Sequence, residues 1–422
     1  MPLTAAGFCN IFAKERGFMR KAILILLTIA SFAAADSLNV SMLGKLVLTG
    51  SATDVVVTNG RAYLACGSGG VRIVDLADPA DPVELFHHPP AGHTSGLGVS
   101  GDYLYSAEYS AGMVILDVTW PPPAELGTAS LDGYSLDVFV DGYYAYVAGY
   151  SSGLRIVDVS DPYYPDEIAS FDVPGFLYGT YTSGDLCLLA EMTAGVRLLD
   201  IHNPYAPTEL GIYDTYGEAK SGALHDSLAF VADGLFGLRI IDFADPADPA
   251  ELGHCDTPGK AVDIHLAGDY ALVAAREFGL RVVDISDPGA PSEVGYYETA
   301  GEAKAVWAHE NLALLACGDS GLVILDVSHF TTVEEKPFTP ERLEISAAPN
   351  PFNSKVDITI TGARGGNLEI RDISGRLVRR IELIGIDSLE RIIWEPDAAL
   401  PSGCYLAKLS GTGSTVPIFM IK

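Results

Sequence analysis

Apolar residues recur along the chain in short runs, separated by turns rich in Gly, Asp and Asn. One unit reads LDVFV (136–140), YAYVA (144–148), LRIVDV (154–159) and EIASF (167–171). Runs of this length between turn residues predict β-strands. The third run is apolar on both of its faces, which is typical of a strand that is covered on both sides. The pattern therefore predicts four-stranded sheets stacked face to face.

The unit repeats at a nearly constant period. An Asp ends the third strand of each copy: Asp75, Asp117, Asp158, Asp200, Asp242, Asp284 and Asp326. A Gly marks the start of each copy: Gly50, Gly92, Gly133, Gly175, Gly217, Gly259 and Gly301. Both series are spaced by 42, 41, 42, 42, 42 and 42 residues. Seven four-stranded copies predict an all-β chain whose residues 36–330 form a seven-bladed β-propeller.

The two ends of the repeat region predict a closed ring. The segment SMLGKLVLTG (41–50) aligns with the fourth strand of other copies, such as SEVGYYETAG (292–301). The last copy stops after its third strand, in LVILDVSHF (322–330). The N-terminal strand is therefore expected to complete the last blade, which leaves no unpaired sheet edge. Most copies carry Arg on strand three and Glu on strand four. In the composite last blade, Val323 stands at the Arg position and Met42 stands at the Glu position.

The copies share a signature, seen in GLRIVDVSDP (153–162), GLRIIDFADP (237–246) and GLRVVDISDP (279–288). This signature resembles the LVIVD-repeat family of bacterial exported proteins over roughly residues 40–330. The resemblance implies a β-propeller outside the cell and implies no particular reaction.

The N-terminal segment reads as an export signal. Met19-Arg20-Lys21 is basic, AILILLTIASF (22–32) is apolar, and Ala33-Ala34-Ala35 is a small-residue cleavage pattern. We expect a signal peptide at 19–35, with residues 1–18 lying before the true initiator. The apolar run is too short to span a bilayer comfortably, and no transmembrane span is predicted in the mature chain.

The C-terminal region differs from the repeats. Residues 331–343 are polar and predict a linker, and short alternating strands in 344–422 predict a small Ig-like β-sandwich. The motifs PNPFN (349–353), DISGR (372–376) and PSGCY (401–405) resemble the type A sorting domain of type IX secretion, itself similar to the Ig-like domain of flagellar hook-capping proteins. The resemblance implies that 344–422 is recognised by that secretion machinery. An ordinary Ig-like accessory module is the alternative.

Charge and motifs narrow the function classes. The net charge is −29, and residues 36–343 carry 13 Lys/Arg against 45 Asp/Glu, so binding to nucleic acid or anionic membranes is disfavoured. The six Cys include no CxxC pair and suggest neither a disulfide framework nor zinc. P-loop and HExxH motifs are absent from the sequence.

Several acidic and histidine-containing positions are better explained by architecture than by ligands. The seven strand-three Asp residues occur once per blade and are predicted to be scaffold. The recurring Asp-Pro pairs read as capped turns, with Ca²⁺ binding as an alternative. The cluster His87, His88 and His93 is not expected to bind a metal, and no cofactor is predicted.

Positions that vary between copies locate a candidate ligand face. Two loops per blade open on one face of a propeller, and their variable residues are Tyr109, Tyr134, Tyr150, Phe176, Met192, Glu218, Lys260, Arg276 and Glu302. An aromatic sector beside a charged sector predicts docking of an extracellular protein or glycan. The predicted function is a non-enzymatic binding or adhesion module. The alternative is an extracellular hydrolase or lyase acting on a polysaccharide or small ester, which converging acids or histidines in the central funnel would favour.

Overall fold

The computed structural model describes residues 37–119 and 122–330 and, beyond them, seven separate strands between 344 and 420. The predicted signal peptide (19–35), the residues before it and the predicted linker (331–343) lie outside the described residues.

Residues 37–330 form seven four-stranded antiparallel blades in a ring. Two short strands come first, β1 (Ser37–Leu38) and β2 (Ser41–Leu46). Blades 1 to 3 are β3–β6 (Asp54–Thr58, Arg61–Ala65, Val71–Asp75, Val83–His88), β7–β10 (Gly96–Ser100, Tyr103–Ala107, Met113–Asp117, Ala124–Ala129) and β11–β14 (Asp137–Asp141, Tyr144–Ala148, Leu154–Asp158, Asp166–Phe171). Blades 4 and 5 are β15–β18 (Gly179–Ser183, Leu186–Ala190, Val196–Asp200, Thr208–Tyr213) and β19–β22 (Ser221–His225, Leu228–Ala232, Leu238–Asp242, Ala250–Cys255). Blade 6 is β23–β26 (Asp263–Ala267, Tyr270–Ala274, Leu280–Asp284, Ser292–Tyr297), and blade 7 contains β27–β29 (Ala305–His309, Leu312–Ala316, Leu322–Asp326).

The ring closes as the sequence predicts. Strand β2 pairs antiparallel with β29, from Ser41 opposite Asp326 to Leu46 opposite Leu322, and so supplies the fourth strand of blade 7. Strand β1 adds a fifth strand to blade 6, with Ser37 opposite Tyr297, which the sequence did not predict. The N-terminal segment therefore contacts both of the last two blades.

The blades pack through both faces of their central strands. In blade 3, Ile156 packs against residues of blade 4, whereas Val157 packs against residues of blade 2. Each full blade except the second pairs its strand-three Arg with its strand-four Glu, in Arg72–Glu84, Arg155–Glu167, Arg197–Glu209, Arg239–Glu251 and Arg281–Glu293. The apolar seams between blades form the core, and these ion pairs lie within single blades.

The strands of the C-terminal region form two antiparallel sheets. One contains β30 (Glu344–Ala348), β31 (Val356–Thr361) and β34 (Glu390–Trp394). The other contains β32 (Gly366–Asp372), β33 (Leu377–Leu383), β35 (Gly403–Leu409) and β36 (Thr415–Met420). The Ig-like sandwich remains a prediction. Within the described part of the chain, no helix is long and apolar enough to cross a membrane.

Candidate functional site

Neighbouring blades are clasped together on the face where strands two and three are joined. At each junction, a residue of the strand two–three loop pairs with the segment that leads into the next blade. The seven pairs are Gly67–Thr94, Tyr109–Ser135, Tyr150–Leu177, Met192–Ala219, Gly234–Ala261, Arg276–Ala303 and Gly318–Ala52. In the second junction, the Tyr109 N–H donates to the Ser135 carbonyl at 3.1 Å, and the Ser135 N–H donates back at 3.1 Å. We call these pairs the clasps and this side of the ring the clasp face.

Four clasps contain a residue in an unusual backbone conformation. Tyr109 (φ 45°), Tyr150 (φ 56°), Met192 (φ 51°) and Arg276 (φ 45°) lie in the left-handed region. The other three clasps have glycine at this position. Glycine adopts positive φ without steric cost, whereas other residues held there cost of order 1–3 kcal/mol each. The protein therefore retains four non-glycine residues in strained backbone conformations, at positions where glycine would satisfy the fold.

Aromatic side chains line the clasp face over blades 1 to 4. The His93 ring lies 4.7 Å from that of Tyr109, which in turn lies 5.6 Å from that of Tyr134. Tyr150 and Phe176 stack at 4.5 Å with an angle of 13° between their planes. Tyr134 and Phe176 are about half exposed. These five residues form the aromatic sector.

Charged side chains occupy the other side of the clasp face. Lys260 donates to Glu218 at 3.3 Å, and Arg276 donates to Glu302 at 3.4 Å. The hydrogen bond from Lys260 lowers the pKa of Glu218. The nine residues selected from the sequence thus all lie on this face, most of them in contact with another of the set. Their role in ligand binding remains a prediction.

A cavity of about 220 Å³ opens at the centre of the clasp face. Tyr109 and Arg276, both selected from the sequence, contribute to its wall. Tyr178, Lys220 and Lys304 also line it and were not selected. They occupy one repeat position, and the column reads Thr, Ser, Leu, Tyr, Lys, Val and Lys over the seven copies, at Thr53, Ser95, Leu136, Tyr178, Lys220, Val262 and Lys304. This variation is a signal in the sequence that lies outside the two variable loops.

Three carboxylates form the floor of the cavity. Asp54, Asp137 and Asp263 begin the inner strands of blades 1, 3 and 6. Each reaches the inner strand of the following blade, where it accepts a backbone N–H from Leu97 (2.7 Å), Thr180 (3.0 Å) or Val306 (2.8 Å), respectively. The second oxygen of each also accepts a hydrogen bond, from Val55, Val138 and the Ser221 hydroxyl in turn. These floor carboxylates therefore join neighbouring blades around the channel.

The floor carboxylates resist ionisation. Desolvation by the surrounding blades, reinforced by the charges of Asp137 and Asp263, raises the pKa of Asp54 to about 8. Desolvation likewise raises the pKa of Asp137 to about 6, and it raises the pKa of Asp263. Their oxygens border the channel, but protein encloses them on all other sides, so desolvation exceeds the stabilisation from the backbone N–H groups. At neutral pH the floor holds fewer than three negative charges.

The strand-three Asp residues stabilise turns on the opposite side of the ring. In all seven copies the carboxylate accepts the backbone N–H of the residue two positions later, at 2.8–3.0 Å. The first Asp of the Asp-Pro turns does the same in four blades, at 3.0–3.2 Å. The proline carbonyl of the turn then lies against a glycine of the preceding blade, as Pro246 does at Gly211. These contacts explain why the motif recurs without invoking a ligand.

Metal-binding and disulfide chemistry receive no support from the described residues. They contain no group of three or more His, Cys, Asp or Glu side chains arranged to hold a metal ion. Cys66, Cys187, Cys255 and Cys317 are free thiols, and burial raises the pKa of Cys66 to about 12. Calcium at the Asp-Pro turns remains an untested alternative.

Similarity to solved structures supports the propeller fold. The structure of U3-55K has a TM-score of 0.58 at 11% identity, covering 68% of this chain and 98% of that one. The β-propeller domain of Myceliophteria thermophila Cps50 (Swd1) has a TM-score of 0.56 at 15% identity, covering 68% of this chain and 99% of that one. At these identities the likeness shows the fold alone. Comparison with curated protein sequences finds no match.

Comparison with protein families identifies both parts of the chain. The LVIVD repeat matches residues 49–88, 91–124, 132–173, 182–215, 216–257, 258–299 and 300–336. The secretion system C-terminal sorting domain matches residues 346–422, which implies interaction with the type IX secretion system. Because the repeats cover more than half of the sequence, the chain belongs to the LVIVD-repeat family, and its sorting domain marks it as an exported protein of the cell surface or extracellular space.

Proposed function

We propose that the propeller is the binding part of an exported adhesion or binding protein, and that it captures an extracellular protein or glycan on the clasp face. The observation that carries this proposal is the set of four strained clasp residues. Backbone strain retained where glycine would suffice is a feature of functional sites, because selection for folding alone would remove it. Three of the four are large apolar or aromatic residues, of the kinds enriched in binding interfaces.

The arrangement of side chains around the clasps supports the same proposal. The aromatic sector presents partly exposed rings, whereas the opposite sector presents charged groups, so the face offers both apolar contact and orientation by charge. The cavity at its centre lies within reach of both sectors. Because the residues on this face differ from blade to blade, a ligand would bind there in one preferred orientation and not in seven equivalent ones.

An extracellular propeller enzyme is the second candidate, and the floor carboxylates are the observation that favours it. Carboxyl groups with raised pKa values often act as general acids in enzymes. Here one oxygen of each carboxyl accepts a backbone N–H from the inner strand of the next blade and the other oxygen accepts a hydrogen bond as well, so the scaffold already accounts for them. A panel of hydrolase and lyase assays, with and without Ca²⁺, tests the alternative. Activity that disappears in Asp137→Asn would favour the enzyme.

The binding proposal is tested with the full chain on glycan and protein arrays. Tyr134→Ala and Phe176→Ala remove exposed rings of the aromatic sector without altering a clasp, so both are expected to weaken capture at least fivefold. Tyr164→Ala is the matched control, because Tyr164 is 81% exposed but lies in the strand three–four turn on the opposite side of the ring. Equal capture by all three variants would exclude the aromatic sector, and absence of any ligand on either array would contradict the proposal.

A further inference from the structure

The positive charges of the propeller are unevenly distributed. Residues 37–330 contain 11 Lys/Arg against 41 Asp/Glu. Five of these cations are the strand-three Arg residues paired with Glu within their blades. Of the remaining six, Lys220, Arg276 and Lys304 line the central cavity on the clasp face, and Lys260 is joined to Lys220 through the carboxylate that they share, that of Glu218. We call these the mouth cations. Most of the positive charge outside the strand-three pairs of this acidic propeller thus lies at one opening.

The mouth cations have fewer carboxylate partners than positive charges. Lys260 and Lys220 share one carboxylate, that of Glu218, at 3.3 and 3.7 Å. Lys304 donates to the Ser51 hydroxyl at 3.1 Å and has no salt bridge among the described residues. With Arg276 paired to Glu302, two carboxylates form salt bridges with three of the four cations. The three floor carboxylates line the same cavity, but their raised pKa values reduce the negative charge with which they offset these cations.

One mouth cation is held in an unfavourable environment. Lys220 is 8% exposed, and its ammonium lies 5.2 Å from the centre of the Tyr178 ring. Burial lowers the pKa of Lys220, and the neighbouring charge of Arg276 lowers it further. Burying an ammonium group beside other cations is costly unless an anion compensates it. The structure keeps this arrangement at the cavity wall, where an anionic ligand would relieve it.

We propose that the cavity binds a uronic acid residue at the end of an acidic polysaccharide. The sugar carboxylate lies against Lys220, Arg276 and Lys304, and the sugar hydroxyls donate to the floor carboxylates. The volume of about 220 Å³ suits one sugar residue, since it is below the ~300–1,000 Å³ typical of sites for larger small molecules. The rest of the chain extends over the aromatic sector. This inference rests on the proposed function, because it names the ligand class of the same face.

The opposite chemistry of the mouth and the floor favours a saccharide over an acidic peptide. The mouth favours an anion, whereas the floor carboxyl groups accept hydrogen bonds at their remaining lone pairs, and Asp54, whose pKa is raised to about 8, also holds a proton that it can donate. A uronic acid carries a carboxylate and several hydroxyl donors on one compact ring. An ionised Asp or Glu side chain brings only acceptors, so the donors of an acidic peptide would have to come from its backbone and not from the group that meets the mouth.

The test measures binding of uronate trisaccharides to the full chain by titration calorimetry. Galacturonate, glucuronate, mannuronate and guluronate oligomers are each compared with the methyl ester, which removes the charge and retains the hydroxyls. At least one acid form is expected to bind, and its ester to bind about tenfold more weakly, because charge-assisted hydrogen bonds are lost. Added salt should weaken binding of the acid form, since the mouth is open to solvent.

Matched variants locate the interaction. Lys304→Ala is expected to lower affinity for the acid about tenfold. Lys45→Ala removes the same charge from the same blade, on its exposed outer strand, and is expected to leave affinity unchanged. Equal binding of acid and ester, equal effects of the two variants, or binding of none of the four acids would overturn the inference.

Two further outcomes separate the inference from the proposed function. If poly-L-glutamate binds more tightly than every uronate, and if this binding is lost in Lys304→Ala, the ligand of the cavity is an acidic peptide and not a saccharide. If neutral glycans bind, if their binding is lost in Tyr134→Ala, and if no uronate binds, the proposed binding function would stand and the acidic ligand would be overturned.

Discussion

Closure of the ring depends on a short N-terminal segment, and one side chain in it provides a sharp test. Leu48 follows β2 and is 6% exposed. It packs with Leu64 of blade 1 and with Leu314 and Ile324 of blade 7, across the seam where the ring closes. Leu48→Ala removes this contact without removing the strand itself.

The expected cost follows from the burial of the side chain. Replacement of a buried Leu by Ala loses transfer free energy and leaves a cavity, which together cost about 2–5 kcal/mol. Taking ~3 kcal/mol, and a urea dependence of ~3 kcal/mol per molar, the unfolding midpoint should fall by about 1 M. Val47→Ala is the matched control, because the neighbouring Val47 is 66% exposed and its truncation should change stability by less than about 0.5 kcal/mol.

Urea unfolding followed by circular dichroism measures the global effect, and hydrogen exchange measures the local one. In Leu48→Ala, amides of β2 and β29 should exchange faster than those of blades 3 and 4, because the seam opens first. If Leu48→Ala and Val47→Ala shift the midpoint equally, or if exchange in β2 and β29 is unchanged, this segment does not hold the ring closed.

Three further predictions follow from the clasps, the floor and the turns. Met192→Gly should keep or raise stability by up to about 1 kcal/mol in thermal unfolding, since it relieves a positive φ; a clear loss would show that the side chain stabilises the fold. The raised pKa of Asp54 means that the folded state holds a proton which the unfolded state releases. The free energy of unfolding should therefore fall as the pH rises from about 4 to 8, by up to about 1.4 kcal/mol per pH unit. Asp54→Asn should flatten this slope, and an unchanged urea-midpoint profile over the same pH range would contradict the assignment. Gly211→Ala should destabilise the protein by about 1–3 kcal/mol, because the new Cβ would meet the Pro246 carbonyl. Gly289→Ala should be nearly neutral in the same urea titration, because its Cβ would make only a 3.4 Å contact with the Asp287 side chain.

Much of the candidate site could be located from sequence, but its centre could not. The nine selected residues vary between copies, and the loops that carry them are recognisable once the period is known. The floor carboxylates were missed because 41 acids occur in 37–330 and no local motif distinguishes three of them. The repeat column does contain a signal, since Asp54, Asp137 and Asp263 are each followed one copy later by Gly or Ala. At Gly96 and Gly179 a side chain would meet the backbone of the blade beyond, at Leu136 and Lys220.

The sequence by itself determined the number of blades, their four strands and the closure by the N-terminal strand. These properties depend on local periodicity and on which strand is missing at each end, so they can be read along the chain. Tertiary structure alone decided that β1 extends blade 6 and that residues from all seven blades converge on one cavity. Residues such as Asp54 and Lys304 are 250 positions apart in the chain and meet only because the ring closes. The desolvation of the floor carboxylates and the repulsion among them arise from that convergence, which no single repeat contains.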